Sequence, residues 1–266
     1  MTTPKEELRN TCIVVLSFVI YLYAKEYFRE IKETLDGFTS HGLTSYILTY
    51  FLIGLPIFSG TYFIIKSWSV FKGLGVHLSP LRAIIISLIF TAPMLIGGFL
   101  FFEFSPSRSF DNLIAGSLGA GFFEELYFRG FLFGMVYRYT RLGFLTSIVL
   151  GALIFASGHL YQSSELAEVV GIFAITFMGA FLFAWLFVEW NYNLWIPIWL
   201  HTFMNLAWLI FEMDDTALGG MLPNILRVMT IVLAIGGTIL YKKKKNLKMK
   251  ITKDTLIFGP PEAISK

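Results

Sequence analysis

The sequence predicts an all-α fold, a polytopic membrane helix bundle with about eight transmembrane helices. Three observations predict it. The chain of 266 residues is 56% hydrophobic and 17% aromatic. Only 15% of its residues are charged, whereas an ordinary soluble domain has about 25%. Several uncharged windows also reach the roughly 20 residues that a helix needs to cross a bilayer core. We therefore expect a single membrane domain over residues 1–266.

Eight windows are predicted to be helices. Five are apolar and long enough to cross a membrane, at residues 43–65, 83–102, 142–164, 169–188 and 190–211. Three weaker candidates are short or contain charges, at residues 10–24, 112–137 and 219–241. The expected functional core, at about residues 80–210, holds most of the polar motifs, and residues 242–266 are the expected polar cytoplasmic tail.

Charge placement predicts the orientation. Eight spans put both termini on one side, and the lysine-rich segment "YKKKKNLKMKITK" marks that side as cytoplasmic by the positive-inside rule. We therefore expect a multi-pass protein of the plasma membrane with both termini in the cytoplasm. The first loop, with Lys25, Arg29 and Lys32, disagrees with this orientation.

Charge and cysteine content exclude other classes of protein. The net charge of +3 is small and comes from the lysine tail, which we interpret as an orientation signal rather than a nucleic-acid site. The single cysteine, Cys12, excludes an internal disulfide framework and a metal site built from several thiolates.

Ionisable groups inside predicted helices are costly and usually functional. The segment "EELYFR" brings Glu124, Glu125 and Arg129 into one such helix. Residues four apart share a helix face, so Glu125 and Arg129 are predicted to pair and to support the site. Glu124 lies about 100° further round the helix, which leaves it as the candidate reactive carboxylate. The alternative interpretation is inter-helix contact or an ion path.

Two further segments add histidine and amide groups. In "HTFMN", His201 and Asn205 share a face and can both donate hydrogen bonds to one oxygen, and "FASGH" ends in His159. Each segment alone is typical of helix packing. Together, however, a carboxylate and an imidazole can deprotonate a water, while a second imidazole and an amide stabilise the resulting oxyanion. This combination favours hydrolysis of a peptide bond within the membrane.

The same residue types leave alternatives open. Glu124, His159 and His201 are also a plausible ligand set for a catalytic zinc ion, so the residues do not choose between a glutamate and a zinc mechanism. A membrane transporter or channel that binds protons or cations at this cluster is the second hypothesis, and a non-catalytic membrane scaffold is the third.

The three motifs resemble a known family. "EELYFR" fits EExxxR, "FASGH" fits FxxxH from Phe155 to His159, and "HTFMN" fits HxxxN. This set, in this order, is similar to that of the CAAX-protease and bacteriocin-processing family of intramembrane proteases, which includes the Rce1-type CAAX prenyl endopeptidase. The resemblance covers about residues 80–210, and helices before that carry no signature.

The resemblance implies a role for each motif residue. Glu124 would activate the water with His159, His201 and Asn205 would stabilise the oxyanion, and Glu125, Arg129 and Phe155 would support them. It favours a mechanism without a metal, with zinc as the alternative. The implied partners are the lipid bilayer and a peptide or prenylated protein substrate, and no nucleic acid.

One expectation strains this interpretation. If the helix over 142–164 ran straight, His159 would lie near one face of the membrane, whereas His201 would lie about 12 Å along its own helix from the opposite face. A break at Gly151 or Gly158, a bend at Pro197, tilted helices or a reversed topology would bring the two depths together.

Overall fold

Helices make up most of the computed structural model, which describes residues 3–104 and 109–259. The α-helices are α1 Pro4–Glu26, α2 Phe28–Thr39, α3 Gly42–Ile53, α4 Leu55–Ile65, α5 Val70–Gly73, α6 Pro80–Phe101, α7 Phe110–Ile114, α8 Ala120–Glu124, α9 Gly134–Tyr139, α10 Phe144–Ser157, α11 Leu166–Glu189, α12 Trp195–Ile210, α13 Met221–Lys244 and α14 Lys253–Leu256. Two π-helical segments, Ala115–Gly119 and Glu125–Phe133, join α7, α8 and α9 into one continuous helix over residues 110–139, called the motif helix below.

The bundle is a polytopic membrane fold, as predicted. Within the described ranges, five helices are long and apolar enough to cross a membrane, namely α1, α6, α10 with the short turn that follows it, α11 and α13. The pair α3 and α4, bent by 43°, makes a sixth if it counts as one span. All eight predicted windows are helical. The motif helix and the 16-residue α12 are not among the six, so the count of eight spans stays a prediction.

The bend between α3 and α4 has a local cause. Pro56 has no amide hydrogen to continue the helical ladder, and the break falls at Gly54. The Tyr127 hydroxyl of the motif helix lies against this break and donates to the Tyr50 carbonyl at 2.6 Å. A Cβ atom on Gly54 would collide with this hydroxyl. A glycine at this position therefore lets the bent helix and the motif helix meet.

The predicted first loop is largely a helix, α2. Its apolar side packs on α3, where the Phe28 ring lies 4.8 Å from that of Tyr50. Its polar side carries two ion pairs, Arg29 with Glu33 at 2.8 Å and Lys32 with Asp36 at 2.7 Å. Two of the three positive charges that disagreed with the orientation, Arg29 and Lys32, are thus paired with an acid. An amphipathic helix of this kind is typical of a bilayer interface.

The motif helix lies at the centre of the bundle. Every residue of its second π segment is buried, from Glu125 to Phe133. Helices α1, α4, α10 and α11 contact this segment, and their outer faces expose large apolar side chains such as Leu16, Phe63 and Met178. The charged motif is therefore enclosed by protein rather than lipid, which is where intramembrane charges are tolerated.

Close contact between the motif helix and α12 depends on a glycine. A Cβ atom on Gly121 would lie 3.0 Å from the Thr202 backbone nitrogen and 3.2 Å from the Ile198 carbonyl oxygen. Small residues at helix interfaces allow such backbone approach in membrane proteins. The stretch around Gly121 thereby brings the glutamates of the motif helix to the histidine of α12.

The two ends of the described chain meet at one end of the bundle. Glu7 pairs with Arg141 at 3.1 Å, and Gly143 donates its amide hydrogen to the Ile257 carbonyl at 2.8 Å. The described part of the predicted lysine tail therefore packs against the bundle. The last residues of the tail, 260–266, lie outside the described residues.

A buried ion pair anchors this tail. Lys242 donates to the Glu189 carboxylate at the end of α11. The same carboxylate accepts the backbone amides of Lys250 and Ile251, the latter at 2.9 Å. Glu189 is therefore neutralised and fully hydrogen-bonded only when the tail is docked.

Gly121→Ala tests the close helix approach. We expect the added methyl group to push α12 away and to destabilise the protein by about 1–3 kcal/mol, the usual cost of overpacking. Thermal unfolding in detergent measures this change. Gly179→Ala in α11 is the matched control, because nothing lies within 4 Å of its added Cβ atom. Equal stability of both variants would contradict the packing argument.

Candidate active site

The first π segment of the motif helix prepares the site. In this segment the Ala120 amide hydrogen reaches back to the Ala115 carbonyl, one residue further than in an α-helix. The Ala115 carbonyl also accepts the Tyr46 hydroxyl at 3.3 Å, and the next carbonyl, of Gly116, accepts the Asn205 side-chain amide at 3.1 Å. A π turn leaves backbone carbonyls open to such partners, and π turns are frequent at functional sites.

The predicted pair of Glu125 and Arg129 is present and completely buried. The Arg129 NH1 atom lies 3.2 Å from Glu125 Oε1, and both side chains are 0% exposed. Two aromatic rings flank the guanidinium group, that of Phe155 at 4.2 Å and that of Phe183 at 5.4 Å. Apart from the ion pair, no residue in the described part of the chain accepts a hydrogen bond from it. Cation–π contacts thus replace hydrogen bonds around Arg129.

His201 lies between the two glutamates. Its Nδ1 atom is 2.8 Å from Glu125 Oε1, and its Nε2 atom is 3.9 Å from Glu124 Oε2. The imidazole stacks on the Phe183 ring, with centroids 5.1 Å apart and planes inclined by 14°. An ionised carboxylate only accepts hydrogen bonds, so the Nδ1 atom carries a proton. Glu125 thereby fixes which nitrogen of His201 faces Glu124.

The two glutamates differ in accessibility. The Glu124 side chain is 27% exposed, whereas that of Glu125 is 0% exposed. Adjacent residues on a helix point about 100° apart. The two carboxylates therefore approach opposite nitrogens of the same imidazole ring. Glu125 is a buried partner of other protein groups, and Glu124 is the carboxylate that a small molecule can reach.

His159 joins the cluster indirectly. Helix α10 ends at Ser157, so His159 lies in the turn that follows, with Nδ1 at 2.8 Å from the Phe155 carbonyl oxygen. A carbonyl only accepts, so Nδ1 donates and the free nitrogen is Nε2. The Phe155 ring also contacts Arg129, which links His159 to the buried pair. In the described ranges, Glu124 forms its ion-pair contact with His201 and none with His159.

Asn205 lies one helical turn beyond His201 on α12. One amide hydrogen of its side chain bonds to the Gly116 carbonyl, which leaves the second hydrogen free to donate. Among the seven predicted residues, Glu124, Glu125, Arg129 and His201 thus form a chain of direct contacts. The other three residues join this chain indirectly. Phe155 contacts Arg129, His159 bonds to the Phe155 carbonyl, and Asn205 bonds to the motif helix.

The residues do not form a metal site in this arrangement. Across residues 3–104 and 109–259, no group of three or more His, Cys, Asp or Glu side chains is close enough together to hold a metal ion. The alternative zinc set of Glu124, His159 and His201 is therefore not assembled. His201 also has one nitrogen engaged by Glu125.

Three aromatic residues near the site were not predicted from the sequence. Phe183 stacks on His201 and flanks Arg129. Tyr46 on α3 donates its hydroxyl to the Ala115 carbonyl, and Tyr50 stacks on Phe123, the residue before Glu124. Phe183 is one of 28 phenylalanines in a chain of long apolar runs, so no pattern distinguished it. The spacing of four between the two tyrosines was a signal, although a weak one.

Comparison with known proteins supports the motif-based resemblance. Residues 106–207 match the family model described as "Type II CAAX prenyl endopeptidase Rce1-like". No curated protein and no solved structure matches the chain. The matched segment includes Glu124, Glu125, Arg129, Phe155, His159, His201 and Asn205. Residues 106–207 of this multi-pass membrane protein are therefore similar to the Rce1-like domain of type II CAAX prenyl endopeptidases.

Proposed function

We propose that the protein is an intramembrane endopeptidase that hydrolyses a peptide bond with a water activated by Glu124 and His159. In this proposal His201 and Asn205 form the oxyanion hole. The observation that carries it is the position of His201, held by buried Glu125 on one nitrogen and facing half-buried Glu124 with the other.

Glu124 is the proposed general base. It accepts one proton from the water while the water oxygen bonds to the carbonyl carbon of the substrate, and the carbonyl oxygen becomes an oxyanion. The free Nε2 atom of His159 accepts a hydrogen bond from the other O–H group of this water and so orients the water. When the carbon–nitrogen bond breaks, the amine takes the proton from Glu124 and a new carboxyl group remains.

His201 is proposed to donate to the oxyanion from Nε2, which requires a doubly protonated ring. With such a ring, the two carboxylates of the cluster face two positive groups, Arg129 and His201. The second amide hydrogen of Asn205 is the other donor. Fixed donors of this kind stabilise a tetrahedral intermediate strongly in a site from which water is excluded.

The proposed mechanism has no metal in it. The chemistry that zinc would supply, polarising a carbonyl and acidifying a water, is assigned here to His201, Asn205 and Glu124.

The proposed substrate is a peptide or prenylated protein that reaches the site from the bilayer. We also place the protein in the plasma membrane with both termini in the cytoplasm. The lysine-rich tail and the meeting of both ends of the described chain near Arg141 support this orientation.

Glu124→Gln is expected to reduce kcat at least 100-fold, because a positioned general base contributes about 10²- to 10⁴-fold. Purified protein is incubated with a library of peptides and prenyl-peptides, and cleavage is followed by mass spectrometry. Glu30→Gln, which changes an exposed carboxylate on α2, is the control and retains activity.

Two results would count against this mechanism. Cleavage that survives Glu124→Gln would show that Glu124 is not the general base. Activity that follows the zinc content of the preparation and is lost to a chelator would show that the mechanism uses a metal. Absence of any cleavage, together with proton or cation flux through the protein in liposomes, would favour the transporter hypothesis.

Glu125→Gln tests the buried support. Loss of one partner leaves Arg129 as an uncompensated buried charge, so we expect a loss of about 3–5 kcal/mol in unfolding free energy. His201 loses its charged acceptor, and kcat falls about 10- to 100-fold. Glu33→Gln breaks a pair of the same i,i+4 spacing on an exposed surface and leaves both quantities unchanged. Equal behaviour of the two variants would contradict the role of Glu125.

Cysteine labelling tests the proposed orientation. Because Cys12 is the single cysteine, Cys12→Ser gives a thiol-free background. A membrane-impermeant maleimide is expected to label Ser164→Cys in intact cells and to label Lys245→Cys only after lysis. Helix α11 separates these ends, and its 24 residues span about 36 Å, enough to cross the hydrocarbon core. The opposite labelling pattern would reverse the orientation.

A further inference from the structure

Two consecutive carbonyls of the first π segment bind side chains from different helices. The Ala115 carbonyl accepts from Tyr46 of α3, and the Gly116 carbonyl accepts from Asn205 of α12. A hydrogen bond that holds one carbonyl in the π geometry also sets the direction of the next. Tyr46 therefore influences where Asn205 is held.

A second tyrosine extends this connection. The Tyr50 ring packs against that of Tyr46, with centroids 4.9 Å apart and planes inclined by 66°. The two residues lie one turn apart on α3, so Tyr50 supports the ring whose hydroxyl donates to the Ala115 carbonyl.

The tyrosine rings also reach the other side of the site. Tyr50 stacks on Phe123, with centroids 4.4 Å apart and planes inclined by 8°. Phe123 directly precedes Glu124, so this stack fixes the helix at the point where the carboxylate projects. The Tyr46 ring lies against Gly119, where an added Cβ atom would be 2.8 Å from it.

We propose that Tyr46 and Tyr50 are positioning residues of the active site, acting on Asn205 through the Ala115–Gly119 turn and on Glu124 through Phe123. The inference rests on the proposed function, because it assigns Asn205 a role in the transition state. Both residues belong to α3, a helix in which the sequence carried no functional motif.

A double-mutant cycle between Tyr46 and Asn205 tests this proposal. Tyr46→Phe removes the hydroxyl and keeps the ring, so we expect kcat to fall about fivefold, the effect of one neutral hydrogen bond, with KM unchanged. In an Asn205→Ala background the same change is expected to have no further effect, since the group that it positions is gone.

The control variant is Tyr23→Phe on α1. Its hydroxyl bonds only to the exposed Tyr27 in the described part of the chain, and its loss leaves kcat unchanged in both backgrounds. Thermal unfolding of each variant shows whether it is folded. If Tyr46→Phe does not fold, Tyr50→Leu replaces it, because that change removes the ring that packs on Tyr46 and keeps the Tyr46 hydroxyl.

Several outcomes would overturn the proposal. Tyr46→Phe with wild-type kcat, or with the same loss in both backgrounds, would show that the tyrosines do not act through Asn205. If the wild-type protein cleaves and Asn205→Ala lowers kcat in those cases, the proposed function stands and only this inference fails. A wild-type protein that cleaves no peptide would overturn both the proposed function and this inference.

Discussion

The Glu125 carboxylate is the group on which the arrangement of the site depends. One of its oxygens lies within 2.8 Å of His201 and 3.2 Å of Arg129, so a single buried atom orients a histidine from α12 and an arginine from its own helix. Removing a charge from water costs several kcal/mol per ion. The aromatic faces of Phe155 and Phe183 help to offset that cost around Arg129. A cluster held in this way has little freedom to rearrange, which suits a site that must present fixed donors.

Helix geometry explains how neighbouring carboxylates serve one imidazole. The motif helix carries two π segments, and each shifts the residues that follow it around the helix axis. Gly121 then lets α12 approach closely enough for the His201 ring to fit beside the helix. The glycine and the π turns are thus as much a part of the site as the charged residues. They decide the position of each side chain, whereas the charged residues decide its chemistry.

Sequence reasoning predicted the helical windows and the pairing of Glu125 with Arg129, because hydrophobic length and i,i+4 spacing are local properties. It did not predict that Glu124 and Glu125 would contact the same histidine. This contact depends on π turns, and no residue pattern predicts them. Phe183, Tyr46 and Tyr50 were missed because a contact between distant helices leaves no periodic signal. The apolar window 142–164 also hid the end of α10 at Ser157, which places His159 in the turn that follows the helix.

The docked tail has a consequence for synthesis. Glu189 ends α11, but its hydrogen-bond donors lie as far away as Ile251, 62 residues later in the chain. At 5–20 residues per second, ribosomes need roughly 3–12 seconds to add that stretch. During this interval the carboxylate at the end of α11 is without these partners. The ion pair with Lys242 and the two backbone hydrogen bonds can form only after α13 and the tail have been made.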